Sequence, residues 1–461
     1  MSSTKIFSSF EARLRGFISD CRDATWGSGI QTCQRGEEFE LGGSDEWFGQ
    51  LALDLFRIQF EHNSVYRSFC EARGIFSAQS QTLRDWKQIP AVPTSAFKEL
   101  EMSCLPPEER TTVFYSSGTT HQLPSRHFHN ASSLAVYEES LQAGFESHFF
   151  GDLPWRESSF RKEARLTILT PSPAQAPHSS LVHMFETVRR ACGSPERAFF
   201  GRATSEGAWT LDFDAVAGAL TSAVASHKPL LLLGTAFSFV NLLDWLEERS
   251  LRFALPPDSR VLETGGYKGR SRSLPKAELH SLITQKLGIP ITQIVCEYGM
   301  SELNSQAYAR ASEGSTPGGP LTLALSPSQG ERETDTSKSE QTATSDSLAP
   351  AHSARSGPLP LANSFRSFPK PLKSPSEGER GTDGTGVFVF PPWVRVEIVS
   401  PENGQPVGEG ETGLIRVFDL ANVYSAMAVQ TEDLGVRRGR GFELIGRAAL
   451  AEPRGCSLMA I

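Results

Sequence analysis

The feature that most limits the fold is a set of short apolar runs in the middle of the chain. Each run is followed within a few residues by Gly, Thr, Ser or Pro, and the runs lie at 166–169, 229–233, 260–262 and 291–295. Residues 237–246, between two of these runs, have apolar side chains at helical spacing. Buried strands that alternate with helices predict a layered α/β fold whose functional loops lie at strand ends.

The regular pattern stops at residue 316 and resumes at residue 387. About half of the 71 residues between are Ser, Thr, Gly or Pro, and the block LSPSQGERETDT returns as KSPSEGERGTDG. Such a segment buries too little apolar surface to offset its ordering entropy, so we expect a disordered insertion in a surface loop. The chain then divides into a weakly patterned N-terminal segment, an α/β core, the insertion and a β-rich remainder, at 1–45, 46–315, 316–386 and 387–461.

The composition argues against several classes of function. The formal net charge is −8, so no basic excess is available to neutralise the phosphates of a nucleic acid. No apolar run approaches the roughly 18 residues of a membrane helix, and the N-terminus has no secretory signal. The seven cysteines are scattered without a CxxC pair, which argues against a disulfide framework or a zinc site. We expect a cytoplasmic globular enzyme.

The first local signal is a run of small hydroxyl residues and a glycine after an apolar strand end. It comprises Ser116, Ser117, Gly118, Thr119 and Thr120. Such a loop presents several N–H groups and hydroxyls to one anion, as a triphosphate requires, and Arg126 adds a charge-assisted contact. The GxxxxGK[ST] P-loop is absent, and an ordinary Ser/Gly turn explains the composition equally well.

The second local signal directly follows the last apolar run. Tyr298, Gly299 and a carboxylate at Glu302 lie there, a combination that can stack a base, admit close backbone approach and hold Mg²⁺. A helix-capping turn with Ser301 or Glu302 as the cap explains the same residues.

Together the two signals resemble the adenylate-forming superfamily, which includes acyl-CoA ligases, adenylation domains and firefly luciferase. The closer resemblance is to the LuxE-type acyl-protein synthetase family, the fatty acid–protein ligases of bacterial bioluminescence. It rests on the order of blocks that cover nearly the whole chain outside the insertion. These blocks include SSGTT at 116–120, LGTAF at 233–237, ETGGYKG at 263–269, EYGMSEL at 297–303, PPWVR at 391–395, DLAN at 419–422, TEDLG at 431–435 and GR at 446–447.

The resemblance implies a reaction that depends on ATP and Mg²⁺. Residues 116–120 would hold the ATP phosphates with support from Arg126, and Glu302 would hold Mg²⁺. His121 stands where the superfamily usually has glycine, and Ser301 replaces the usual threonine but keeps its hydroxyl. Because the Cβ of His121 restricts φ, the end of the loop departs from the pattern.

The resemblance also implies a nucleoside site. Gly265 and Gly266 would let the backbone approach adenine and the acyl-adenylate. Tyr298, beside Gly299, would stack on adenine, and Asp433 would accept hydrogen bonds from the ribose hydroxyls.

The C-terminal part departs from the acyl-CoA ligases of the superfamily, which continue beyond the hinge with a mobile cap domain. Arg447 would contact ribose or phosphate at the hinge, and 14 residues follow it. We therefore expect the large N-terminal-type module without that cap. In acyl-protein synthetases a cysteine near the C-terminus accepts the acyl group, which implies Cys456 as the nucleophile. Without that resemblance, a lone cysteine in a tail is more often an idle thiol.

The predicted function is activation of a long-chain fatty acid as acyl-AMP, followed by acyl transfer to a protein cysteine. A fatty acyl reductase is the partner that the family implies. Three alternatives stay open: a phenylacetate-type acyl- or aryl-CoA ligase, a catalytically decayed acyl-binding protein, and a hydrolase that uses Ser179 or Ser180. The last lacks a G-x-S-x-G elbow.

Overall fold

The computed structural model describes residues 3–23, 31–32, 38–39, 41–77, 83–116, 123–151, 164–204, 208–266, 271–311 and 386–448. All of these residues belong to one compact unit, formed by Met1–Gly314 and Pro369–Ile461. Apart from Gly386, the predicted insertion lies outside the described residues, and Cys456 does too.

The helices of the described chain are α1 Ser3–Asp23, α2 Leu41–His62, α3 Ser64–Glu71, α4 Ala96–Glu99, α5 Ala131–Phe149, α6 Ser180–Ala191, α7 Phe213–Ser226, α8 Ala236–Glu248 and α9 Lys276–Leu287. Short 3₁₀ helices lie at Trp86–Gln88, Pro107–Glu109, Glu196–Ala198 and Ile291–Gln293. Among the described helices, none has the length and apolar character needed to cross a bilayer.

The strands of the described chain are β1 Gln31–Thr32, β2 Glu38–Phe39, β3 Val92–Pro93, β4 Thr112–Tyr115, β5 Arg126–His129, β6 Arg165–Ile168, β7 Gly201–Ala203, β8 Trp209–Leu211, β9 Leu230–Thr235, β10 Arg260–Thr264, β11 Ile294–Tyr298, β12 Ala307–Arg310, β13 Val394–Val399, β14 Thr412–Asp419, β15 Ala428–Arg438 and β16 Gly441–Arg447. The pairs β1–β2, β4–β5 and β7–β8 each form a small antiparallel sheet.

The four apolar runs supply strands β6, β9, β10 and β11, but the strand predicted at 291–295 begins only at Ile294, because Ile291–Gln293 form a 3₁₀ helix. Together with β12 these strands form a five-stranded sheet. Its order is β12–β11–β10–β9–β6, in which β12 is antiparallel and the other four strands are parallel. Leu231 and Leu233 pack in one core with α5 and α6, whereas Leu230 and Leu232 pack in another with α7, α8 and α9. The strands therefore read as continuous apolar runs because helices cover both faces of the sheet.

The β-rich remainder of the chain is also confirmed. Strands β13–β14–β15–β16 form an antiparallel sheet, and β3 pairs in parallel with β15. The connection between β13 and β14 contains a tight turn, where Gly404 has a φ of +70° and Asn403 Oδ1 accepts a hydrogen bond from Gln405 N at 2.9 Å. The Asn-Gly pair supplies the positive φ that such a turn needs.

The N-terminal segment contains a helix that the weak sequence pattern did not indicate. One face of α1 is buried in the core that also contains the second sheet, through Phe7, Phe10, Leu14, Phe17 and Ile18. Arg22 of α1 donates to Glu146 of α5 at 2.6 Å. The apolar spacing of three and four residues is helical, but polar residues between its members lower the mean hydropathy.

Candidate active site

A cavity of about 280 Å³ lies at the carboxyl ends of two parallel strands. Thr264 and Gly265 approach it from β10, and Tyr298 and Gly299 approach it from β11. Strands β15 and β16 of the second sheet form another wall. A larger open cavity of about 1030 Å³ lies beside β6, but none of the predicted site residues lines it. Crevices at the carboxyl ends of parallel strands are common ligand sites.

Most of the predicted site residues that the structure describes meet at the smaller cavity. They are Ser116, Gly265, Gly266, Tyr298, Gly299, Glu302, Asp433 and Arg447. Arg126 is not in its wall, and the guanidinium of Arg126 lies 3.3 Å from Glu101 Oε1. Ser117, Gly118, Thr119, Thr120 and Cys456 lie outside the described residues. The roles assigned to all these residues stay predictions.

One carboxylate connects the two sheets at the cavity. The Tyr298 hydroxyl donates to Asp433 Oδ2 at 2.9 Å, and Arg447 Nε donates to Asp433 Oδ1 at 3.2 Å. Asp433 and Arg447 are partners in the register of β15 and β16. The Tyr298 ring lies edge-on to Phe442, with 5.2 Å between the ring centroids. Because each carboxylate oxygen has two lone pairs, Asp433 can accept further hydrogen bonds from a ligand.

The ends of the predicted phosphate loop are joined next to Glu302. Ser116 N donates to Ser125 O at 3.1 Å, and Ser125 N donates to Ser116 Oγ at 2.9 Å. Ser125 Oγ lies 3.5 Å from Ser301 Oγ, which donates to Glu302 Oε2 at 3.1 Å. His127 Nδ1 donates to Ser301 O at 2.7 Å. Burial lowers the pKa of His127 to about 4, so its ring is neutral near neutral pH.

The loop after Tyr298 is held in place by the segment that follows β14. Asp419 Oδ2 accepts from Asn304 N at 2.9 Å, and Asp419 Oδ1 accepts from Ser305 Oγ at 2.7 Å. Asn422 Nδ2 donates to Glu302 O at 2.8 Å. Burial raises the pKa of Asp419 to about 6. The DLAN block thus positions the backbone of Glu302, a function that residue types alone do not indicate.

Two positions in the cavity wall require glycine, each for a different physical reason. Gly265 has a φ of +70°, a conformation that residues with a Cβ rarely adopt. A Cβ on Gly299 would lie 2.3 Å from Glu297 Oε1. Glycine at 299 therefore leaves space for the carboxylate of Glu297.

Sequence reasoning missed a cluster of charged residues behind the cavity. Lys276, which lines the cavity, forms an ion pair with the buried Glu263. Ligand atoms of Glu263, His280 and Cys296 lie within 4.8 Å of one another. Because Lys276 neutralises Glu263, this carboxylate is compensated without a metal ion. Lys276 and His280 are four residues apart on α9, and Glu263 pairs with Cys296 in register, so only the fold unites them.

Glu297 is the second cavity residue that sequence reasoning left without a role. Its carboxyl group is buried and accepts a hydrogen bond from Thr264. Burial raises the pKa of Glu297 from 4.5 to about 7, because the Thr264 hydrogen bond offsets only part of the desolvation and Glu263 adds repulsion.

As the pH rises from about 5 to about 8, the free energy of unfolding is therefore expected to fall less in the Glu297→Gln variant than in the wild type. The native state keeps the Glu297 proton up to about pH 7, whereas an unfolded carboxyl group releases it near 4.5. The native state binds more protons in this interval, so the free energy of unfolding of the wild type falls as the pH rises, by up to about 3 kcal/mol. Thermal unfolding midpoints at several pH values measure the difference, and parallel pH profiles would contradict it.

The residues proposed for a hydrolase do not form a Ser–His pair. Ser179 is the N-cap of α6, and Ser179 Oγ accepts from Val182 N at 3.3 Å. His178 Nδ1 donates to Val113 O at 3.0 Å, and His183 Nε2 lies 3.0 Å from Glu138 Oε1. In the described structure no hydrogen bond joins the ring of either histidine to the hydroxyl of Ser179 or Ser180, and the bond from His183 N to Ser179 O belongs to the backbone of α6. The hydrolase alternative therefore has no support from geometry.

Solved structures with a similar fold are adenylate-forming ligases. The crystal structure of 2-hydroxyisobutyryl-CoA ligase in the postadenylation state, in complex with 2-HIB-AMP, gives a TM-score of 0.52 at 11% identity, over 89% of this chain and 69% of that chain. The same ligase with 2-HIB-AMP and CoA in its thioesterification state gives 0.52 at 12% identity, with the same coverage. The predicted fold class, the mixed α/β fold that adenylate-forming enzymes have, is thereby confirmed.

The particular family follows from a second comparison. The family model "Acyl-protein synthetase, LuxE" matches residues 39–314, and the chain belongs to this family of ligases. It is 20% identical over 433 residues to the long-chain-fatty-acid–luciferin-component ligase of Vibrio harveyi, covering 92% of this chain and 89% of the relative. The ligase of the same name from Aliivibrio fischeri is 20% identical over 434 residues, covering 92% and 90%.

Proposed function

We propose that the protein activates a long-chain fatty acid with ATP and then transfers the acyl group to a protein cysteine. The observation that supports this most is the meeting of Ser116, Tyr298, Glu302, Asp433 and Arg447 at one cavity. These residues come from both sheets and from blocks far apart in the sequence. The names of the two bacterial relatives support the fatty acid as the substrate class.

The first step joins the acid to AMP. A carboxylate oxygen attacks the α-phosphorus of ATP, the bond to the β-phosphate oxygen breaks, and pyrophosphate leaves with the electron pair. The loop that begins at Ser116 would donate hydrogen bonds to the phosphates. Glu302, a buried carboxylate beside the joined ends of that loop, fits the one or two carboxylates that Mg²⁺ takes with phosphate oxygens. When bound, Mg²⁺ would neutralise the phosphate charge that develops.

The nucleoside would lie against the residues that connect the two sheets. Tyr298 offers an aromatic ring to adenine, and Asp433 offers acceptor sites to the ribose hydroxyls. Arg447 fixes one oxygen of Asp433 and would contact ribose or phosphate. Tyr298 and Arg447 thus hold the carboxylate in position before ATP binds.

The second step moves the acyl group to sulfur. The Cys456 thiolate attacks the acyl carbonyl carbon, a C–S bond forms, the C–O bond to phosphate breaks, and AMP leaves. Cys456 is eight positions beyond Ala448, the last described residue, and eight steps of extended chain span at most about 26 Å. A chain of that length is long enough for Cys456 to enter the cavity that Arg447 lines. A fatty acyl reductase would then take the thioester.

Hydroxylamine trapping tests this function and its first alternative. Full-length protein with tetradecanoic acid, Mg-ATP and hydroxylamine is expected to give the acyl hydroxamate, with one pyrophosphate released per hydroxamate. The yield is expected to be independent of CoA. A CoA thioester formed by the Cys456→Ser variant would favour a CoA ligase instead, and no hydroxamate with any acid would favour a decayed acyl-binding protein.

A further inference from the structure

The carboxyl group of Glu297 has one oxygen paired and one oxygen left for a ligand. Thr264 donates to Oε2, and within the described chain this is the only hydrogen bond that the carboxyl group accepts. Oε1 lies against Gly299, where a Cβ would be 2.3 Å away. Glu297, Thr264 and Gly299 all line the cavity. Above about pH 7 the carboxyl group is ionised and Oε1 can only accept, and a buried acceptor costs free energy when no donor meets it.

The positive charge of Lys276 opposes the rise in the pKa of Glu297, but Lys276 forms its ion pair with Glu263. Thr264 pairs with Glu297 in the register of β10 and β11, and Glu263 pairs with Cys296. Because successive strand residues point to opposite faces, Glu263 and its partner Lys276 lie on one face and Glu297 on the other. Lys276 donates to both oxygens of Glu263 and to Gly265 O, and no hydrogen bond between Lys276 and Glu297 is formed in the described chain.

We propose that Glu297 Oε1 accepts a hydrogen bond from a hydroxyl or amino group that the acid substrate carries in addition to its carboxyl group. The inference rests on the proposed function and adds to it a preference for hydroxy- or amino-substituted acids over plain acids of the same chain length. An unsubstituted alkyl chain at this wall leaves Oε1 without a donor. A site built to hydrogen-bond a substrate group rejects the analogue that lacks this group, because its own polar atom is then left unpaired.

Initial rates of pyrophosphate release test the inference with acids of one chain length. The acids are decanoic, 2-hydroxydecanoic, 3-hydroxydecanoic and 2-aminodecanoic acid, each with Mg-ATP and full-length protein. The wild type is expected to prefer at least one substituted acid over decanoic acid by about 10- to 100-fold in kcat/KM. Glu297→Leu is expected to reverse that preference, because it removes the acceptor and adds an apolar contact.

Two further variants separate specificity from folding. Glu297→Gln is nearly isosteric and keeps an acceptor, so its preference for the substituted acid over decanoic acid is expected to fall only by about threefold. If the leucine variant does not fold, the glutamine variant still tests the inference. Glu397→Leu replaces a half-buried carboxylate on β13, outside the cavity wall, and is expected to keep the wild-type preference.

Three results would overturn the inference. One is a wild-type preference for decanoic acid, and another is a preference that Glu297→Leu leaves unchanged. The third is a Glu297→Leu variant whose preference between ATP and purine riboside triphosphate changes while its preference among the acids does not. In that case Oε1 faces the base. Absence of pyrophosphate release with every acid would overturn the proposed function itself, which these three results leave intact.

Discussion

Replacing Asp433 by alanine is expected to lower kcat/KM for ATP in fatty-acid-dependent pyrophosphate release by about 100- to 10,000-fold. Asp433 accepts hydrogen bonds from Tyr298 and from Arg447, and it would accept two more from ribose. Hydrogen bonds to a charged group contribute about 1.5–3 kcal/mol each, so losing two of them gives this range. The change also releases the Tyr298 ring and the Arg447 guanidinium from their fixed positions.

Two control variants make the Asp433 result specific. Tyr298→Phe removes one donor and keeps the ring, so about a tenfold loss is expected. Asp244→Ala removes an exposed carboxylate that pairs with Arg272 outside the cavity, and it is expected to behave as wild type. An Asp433→Ala enzyme with unchanged kcat/KM for ATP would show that this carboxylate does not bind the nucleotide.

Replacing Cys456 by alanine is expected to remove the acyl label from the protein while pyrophosphate release continues. The thiol would accept the acyl group only after the adenylate has formed, so the first step does not need it. The measurement is radiolabelled tetradecanoic acid with Mg-ATP, followed by gel electrophoresis and peptide mapping. A thioester label is recognised by its release with neutral hydroxylamine.

A second cysteine provides the control and the competing outcome. Cys192→Ala changes a partly buried thiol at the end of α6, away from the candidate active site, and is expected to leave the label in place. A label that persists in the Cys456→Ala variant would refute Cys456 as the acceptor. Cys296 would then be the first residue to test, because its side chain is in the cavity wall and its Sγ lies 3.6 Å from His280 Nε2.

The sequence allowed the first sheet to be predicted, but not the N-terminal helix. Strands such as β9 are buried on both faces, so nearly every residue is apolar and the run is visible without knowledge of its neighbours. Helix α1 buries only one face, so its apolar residues are spread among polar ones. Its position in the core depends on packing against α2 and α5, which no local pattern reports.

Residues of the candidate site could be predicted where they belong to a recognisable sequence block. They could not be predicted where their role depends on the register in which two strands pair. Tyr298 and Asp433 belong to recognisable blocks, and the fold brings them into contact. Glu297 and Thr264 face one another because β10 and β11 pair in one alignment, and a shift by one residue would turn both away. Arg126 follows the phosphate loop in sequence, yet its guanidinium lies beside Glu101 and outside the cavity wall.

Isotope exchange between pyrophosphate and ATP tests the central claim most directly, because it reports formation of an acyl-adenylate without any acceptor. Purified full-length protein with Mg-ATP, labelled pyrophosphate and a series of plain, hydroxy- and amino-substituted long-chain acids is expected to move label into ATP only when an acid is present. The Asp433→Ala variant is expected to lose this exchange, and the Cys456→Ala variant to keep it. Exchange that stays at the acid-free background with every acid would contradict adenylate formation at this site.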